Sequence, residues 1–178
     1  MRINNLVWQH GMMAALISVI LSLVAYIIGI EILTGWQIGV AQSVLIITTM
    51  VVVSRTIRTN EGGFISYGRV LGHIMLSTLC ILFASALFNI ILFNVINTDL
   101  VDVMVEINTE RVAEMMKSFG LDEKLLEETM AETRLEIEKG FTVLGSIKGV
   151  IFGSIFWGVI ALIVAATQYK VDKTSKFN

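Results

Sequence analysis

The residues of this chain that could carry chemistry are few. His10 and His73 are its two histidines and Cys80 is its one cysteine. No H-x-x-x-H or C-x-x-C pair occurs, so the spacing that puts two ligands on one metal is missing. No G-x-S-x-G elbow, Walker loop or dinucleotide fingerprint is present. Asn60–Glu61–Gly62–Gly63 is glycine-rich, but it follows no strand and reads as a turn. Cys80 has no second thiol and is expected to pack as a small apolar residue. No catalytic, cofactor-binding or metal-binding residue is assigned, and no cofactor is expected. Enzymes present two or more convergent reactive groups, so a non-enzymatic role is the expectation.

What remains is a set of polar residues within apolar sequence. His73 is followed by Ser77, Cys80 and Ala84 at steps of four, three and four, which lines them up on one helix face. Gln42, Asn89 and Asn94 are the other notable polar groups. Such groups are costly inside a bilayer and often functional. His73, Gln42 and Asn89 are therefore the candidate intramembrane polar site. One reading is a proton-responsive or solute-contacting path. The other is hydrogen bonding between neighbouring helices or to interfacial water, worth roughly 0.6–2 kcal/mol per bond. His10, beside Trp8, reads as interfacial.

The elements that must position these residues follow from composition. The 178 residues include no proline, are 55% hydrophobic and only 16% charged, against about 25% charged in soluble domains. The mean hydropathy is +0.78. A soluble domain, a disulfide-built secreted domain and a disordered chain are excluded. A membrane helix needs about 20 apolar residues, and four stretches supply them, at about 8–32, 35–54, 67–96 and 145–169. Their unbroken apolar runs lack the alternation of barrel strands. The first run is too long for a signal-peptide core and no A-x-A-like site follows it, so it is expected to remain as a membrane helix. The fold class is an all-α integral membrane protein. It forms a single membrane domain over 1–178, with four antiparallel transmembrane helices and an external amphipathic helical hairpin between spans 3 and 4.

Charge orients the spans. Arg2, Arg55, Arg58, Arg69, Lys170, Lys173 and Lys176 fall on one side if the chain weaves four times. Positive residues favour the cytoplasm, so both termini are expected there. Thr98–Lys139 carries twelve acidic and five basic residues and is expected on the extracytoplasmic side. Trp8, Tyr67 and Tyr169 mark one interface and Trp36 the other. Trp157 falls inside span 4, off either belt. No basic patch suggests nucleic acid.

The 98–139 insertion reads as two helices. Val101, Met104, Asn108, Val112, Met115, Met116 and Phe119 form the stripe of the first, with Thr98 or Asp99 capping its start and Gly120 its end. Asp122 can cap the second, whose looser stripe is Leu125, Leu126, Met130, Thr133, Ile137 and Phe141, ending at Gly140. Like charges four apart weaken an isolated helix by a few tenths of a kcal/mol per pair. Glu123, Glu127, Glu128 and Glu132 read either as a solvated face or as a docking surface for a basic partner or divalent cations, with no EF-hand spacing among them. Gly145, Gly149 and Gly153 recur every four residues, and Gly35 and Gly39 do so in span 2. Small residues at that spacing allow close helix approach, within the chain or between two copies.

The layout resembles a known family. A basic loop leads through Gly62–Gly63–Phe64–Ile65–Ser66–Tyr67–Gly68 into span 3, and a Glu/Met/Lys-rich insertion ending near Gly120 precedes a glycine-rich span 4. This is similar to domain-of-unknown-function family 4199, small four-span bacterial membrane proteins. The resemblance covers nearly the whole chain. It implies the fold and the inner membrane of a Gram-negative bacterium, and no activity. Family members commonly carry a proline where Thr98–Asp99–Leu100 stands here, and its absence predicts that span 3 runs on outward. The expected partners are the lipid bilayer and a protein partner or second copy. The function expected is an accessory or scaffold subunit; the alternative is a small oligomeric transporter or channel.

Overall fold

The computed structural model describes the backbone of residues 2–120 and 123–170, and the side chains of these other than 2–6 and 123–128. Every named element among them is helical. In chain order they are α1 (Arg2–Ile28), α2 (Ile30–Thr34), α3 (Trp36–Asn60), α4 (Tyr67–Ile91), a π-helical turn (Leu92–Ile96), α5 (Leu100–Ser118), α6 (Glu123–Gly140) and α7 (Val143–Gln168). Val7–Ile28, Trp36–Asn60, Tyr67–Ile96 and Val143–Gln168 are long and apolar enough to cross a membrane. The shortest has 22 residues and reaches about 33 Å, against ~30 Å of hydrocarbon. The protein is a multi-pass membrane protein, as its composition predicts.

The span ends differ in detail from the sequence expectation. The first stops at Gly29, whose φ of +148° suits glycine. The chain restarts as the short α2 and turns again at Gly35 before Trp36. Helix α3 continues past Arg55 and Arg58 to Asn60, because nothing in that run breaks a helix before Gly62 and Gly63, at φ +74° and +93°.

Span 3 does not run on outward, although no proline stops it. The π-helical turn widens the last coil, and Asn97 leaves helical space at φ −145°, ψ 83° while its N–H bonds the Leu92 carbonyl at 2.9 Å. Asp99 makes no side-chain cap on α5, because its backbone is already helical at φ −66°, ψ −19°, whereas a cap residue is extended. Backbone turns act instead, Leu100 N–H to Asn97 at 3.3 Å and Val101 N–H to Thr98 at 3.1 Å. The Asp122 cap lies outside the described residues.

The residues gather into two compact units, Met1–Ser85 with Val150–Asn178, and Ala86–Gly149. In the first unit, residue pairs give the helix directions. Gly11 packs on Ser77 and Ser18 meets Ser85, so α1 and α4 run parallel. Gly158 packs on Met75 and Gly153 on Leu82, so α4 and α7 run antiparallel. The tight Gly29–Gly35 turn makes α1 and α3 antiparallel neighbours. Met50, Val53 and Ile57 of α3, Ile74 and Ile81 of α4, and Ala161 of α7 are completely buried together. Trp157 joins this core, edge-on to Phe156 at 5.4 Å, which explains its distance from either interface belt.

Helix α1 is sorted by size. Beyond the buried Val7, its buried face is small, with Gly11, Ala14, Ala15, Ser18 and Ala25. Its exposed face carries Met12, Met13, Leu16, Ile17 and Ile20. Lipid is as apolar as these side chains, so large residues gain little by turning inward. Small ones let backbones approach. An added Cβ on Gly11 would stand 3.2 Å from Ser77 Cα.

In the second unit, α5 packs against α6. Phe93 is buried edge-on to Phe141 at 4.9 Å, and Asn94 Nδ2 donates to the Phe141 carbonyl at 3.2 Å. Met104 of the expected α5 stripe is buried. Met115 and Phe119 at its far end are exposed, so that stripe is covered only in part. The described members of the α6 stripe, Met130, Thr133, Ile137 and Phe141, are all half-buried. Gly120, at φ +76°, closes α5 as expected. Thr142 Oγ accepts from Gly145 N–H at 3.1 Å and so caps α7.

Gly11→Val is expected to destabilise the protein in detergent by about 1–3 kcal/mol, as overpacking does. Gly39→Ala, where nothing lies within 4 Å, should stay within about 0.5 kcal/mol of wild type. Denaturant unfolding followed by circular dichroism separates the two.

Candidate functional site

Gln42 sits on α3 one to two turns after Trp36, half-buried within an apolar run. Its amide is engaged from α1. Ser18 Oγ donates to Gln42 Oε1 at 2.7 Å, and Gln42 Nε2 donates to the Ser18 carbonyl at 3.0 Å and to Ser22 Oγ at 3.2 Å. Ser18 is completely buried and has a single hydroxyl proton, already used on Gln42. The 2.8 Å contact between Ser18 and Ser85 is therefore a bond donated by Ser85. Three helices, α1, α3 and α4, meet in one closed polar cluster. An unsatisfied polar group at this depth would cost several kcal/mol, which is why both amide hydrogens of Gln42 are used.

His73 lies elsewhere. Its Nδ1 donates to the carbonyl of Arg69, one turn back on its own helix, at 2.6 Å. Ser85 is twelve residues further along α4, so His73 is about 18 Å along the axis from the Gln42 cluster. The structure does not bring His73 to Gln42. Asn89 belongs to the second unit and is exposed. Of the stripe that follows His73, Ser77 is buried against Gly11, where Cys80 Sγ also stands close to an added Cβ.

The glycines divide by role. Gly35 shapes the turn before α3, and an added Cβ there would press on the Glu31 carbonyl at 2.9 Å. Gly145 passes so near Lys139 and Gly140 that no Cβ fits. Gly153 makes an ordinary contact with Leu82 at 3.7 Å, and Gly39 and Gly149 are exposed with open space around them. Of the acidic candidates, the side chains of Glu123, Glu127 and Glu128 lie outside the described residues, and Glu132 is exposed. On the same helix Lys139 donates to Glu136 at 2.7 Å. That bond and the charge of Lys139, helped by Lys148, hold the Glu136 carboxyl below its ordinary pKa against a small opposing desolvation.

A second bonded region lies in the loop that carries the family resemblance. Residues Gly62–Tyr67 form a strap between α3 and α4. Ile65 N–H donates to the Lys170 carbonyl at 2.7 Å and Lys170 N–H donates back at 3.0 Å, an isolated antiparallel bridge. Arg58 Nη1 donates to the Gln168 carbonyl at 3.3 Å, and Tyr67 Oη donates to the Leu162 carbonyl at 3.3 Å. Tyr67 and Tyr169 meet edge-to-face at 5.9 Å, and Arg69 pairs with Glu61 at 2.7 Å. Ile65 is buried between an exposed Phe64 and an exposed Ser66. An apolar residue so placed is the signal that could have pointed to a docked segment.

Gln42→Ala is expected to cost about 1–2 kcal/mol of stability, and a Ser18→Ala, Gln42→Ala double-mutant cycle should return a coupling of about 0.5–1.5 kcal/mol. His73→Ala, which removes only a bond within one helix, should cost less than about 0.5 kcal/mol. Unfolding in detergent measures all four variants.

No curated protein and no solved structure matches the chain. Residues 9–167 match the family model described as a protein of unknown function, DUF4199. That match takes in most of every span and the whole of α5 and α6, so the chain belongs to the DUF4199 family of proteins of unknown function.

Proposed function

We propose that this membrane protein is a non-enzymatic accessory or scaffold subunit of an assembly in the bacterial inner membrane. The observation that carries the reading is the use made of polar groups within the spans. Gln42, Ser18, Ser22 and Ser85 are bonded to one another across three helices, and His73 is bonded to its own helix. Groups committed to holding helices together are poor candidates for moving a solute. The second unit, by contrast, offers exposed acidic side chains at Glu106, Glu110, Glu114 and Glu132, a surface for a basic protein partner.

The orientation belongs to the same proposal. Arg55, Arg58, Arg69 and Lys170 collect at one end of the first unit, joined there by the Ile65–Lys170 bridge and the Arg58–Gln168 bond. By the positive-inside bias that end faces the cytoplasm, with both termini. Segment 98–139 then lies on the extracytoplasmic side.

Affinity purification of the tagged chain from its native membrane in mild detergent is expected to recover a stoichiometric protein partner, and Lys substitutions at Glu106, Glu110 and Glu114 should weaken its recovery. Recovery of the chain alone, together with proton or solute flux in proteoliposomes that His73→Ala abolishes, would favour a transporter. For the orientation, Glu132→Cys in a Cys80→Ala background should react with an impermeant maleimide in intact spheroplasts. Labelling only after lysis overturns it.

A further inference from the structure

The strap also assembles positive charge at one level. Arg55 is exposed and lies three residues before Arg58 on α3, which puts the two side chains about 5–6 Å apart at Cβ. Arg58 is anchored on the Gln168 carbonyl at 3.3 Å through one N–H, leaving other donors of its five for a second acceptor. Lys170 has its backbone fixed by both bonds to Ile65, and its ammonium lies 5.8 Å from the Phe64 ring centroid. Glu61, the acid of this region among the described residues, is taken up by Arg69 at 2.7 Å. Among the described residues, Arg55, Arg58 and Lys170 are thus an excess of three cations on an anchored frame.

Their position selects the partner. Helix α3 needs about 20 residues to cross the hydrocarbon, so from Trp36 the chain reaches Arg55 at the boundary between hydrocarbon and headgroups. The Tyr67–Tyr169 pair stands at the same end, and aromatic rings of this kind settle at headgroup depth. Guanidinium forks match phosphate oxygens in pairs, and basic pockets at the ends of membrane helices hold anionic headgroups.

We propose that Arg55, Arg58 and Lys170 bind the phosphate of an anionic phospholipid headgroup, seated against the strap. This goes beyond the scaffold reading and holds whichever side that end faces.

The test uses the purified full chain in a zwitterionic detergent, titrated separately with phosphatidylglycerol, phosphatidylcholine and inorganic phosphate. Native mass spectrometry counts bound lipid, and the thermal midpoint reports stabilisation. Phosphatidylglycerol should bind and raise the midpoint. Phosphatidylcholine and inorganic phosphate should do neither. Each of Arg55→Gln and Lys170→Gln should weaken phosphatidylglycerol binding about fivefold, and the pair about thirtyfold, from roughly one unit of surface charge each. Arg55→Lys should retain most of the binding. Lys148→Gln, a cation outside the cluster, should leave it within twofold. Both glutamine substitutions fall on exposed side chains, and an unchanged circular dichroism spectrum checks that they fold. Equal binding of the two lipids overturns the proposal. So does competition by inorganic phosphate at equal concentration, which would mark a soluble anion as the ligand, or full affinity in the folded double variant.

Discussion

Packing in this protein rests on a constraint that water-soluble folds do not face. Inside hydrocarbon, turning a leucine from lipid toward another helix gains almost nothing, so helices must be held by close approach and by polar groups that have no alternative partner. Helix α1 meets both demands along one face. Gly11 brings the backbone of α1 against Ser77 of α4, and one turn or two further on Ser18 joins Gln42 of α3 to Ser85 of α4. The large residues of α1 are left for the lipid. The far end of the same unit is held differently. There the chain leaves the spans, backbone groups come free, and the strap satisfies them with the C-terminal end of α7.

The two sets of contacts divide the work by depth. The Gln42 cluster is short and centred on the buried Ser18, within the span, where solvent competes little for its bonds. The strap contacts combine backbone bonds, an arginine on a carbonyl, and an aromatic pair. Each is weaker alone in a wetter setting. Together they fix where α3 and α7 end and where α4 begins.

Much of this was legible in the sequence, and the reasons for the remainder are physical. Span existence follows from apolar length, so all four helices stand where hydropathy puts them. Gly120 closes α5 because a left-handed residue was needed there. Gln42 stood out as a polar group in an apolar run, but its partners did not. Serines are common in membrane helices, and nothing local marks Ser18, Ser22 and Ser85 as a set that meets only after three helices pack. The same blindness affected the glycines. Equal spacing of Gly145, Gly149 and Gly153 suggests one role, yet Gly145 answers a turn, Gly153 touches Leu82, and Gly149 lies in the open. The end of span 3 misled because a missing proline is a statement about one way of stopping a helix. The π-helical turn and Asn97 provide another.

The bridge between Ile65 and Lys170 also has a bearing on biogenesis. Its two halves are separated by roughly a hundred residues of chain, which a ribosome adds in roughly 5–20 s at ordinary elongation rates. During that interval the first three spans have left the ribosome while Ile65 still lacks its partner, and Arg58 has no carbonyl to hold. Until α7 is made, the strap between α3 and α4 has no bridge partner for Ile65. Arrival of the last span closes it. A chain truncated before α7 therefore differs from this one at the strap, where Ile65 and Arg58 lose these backbone partners.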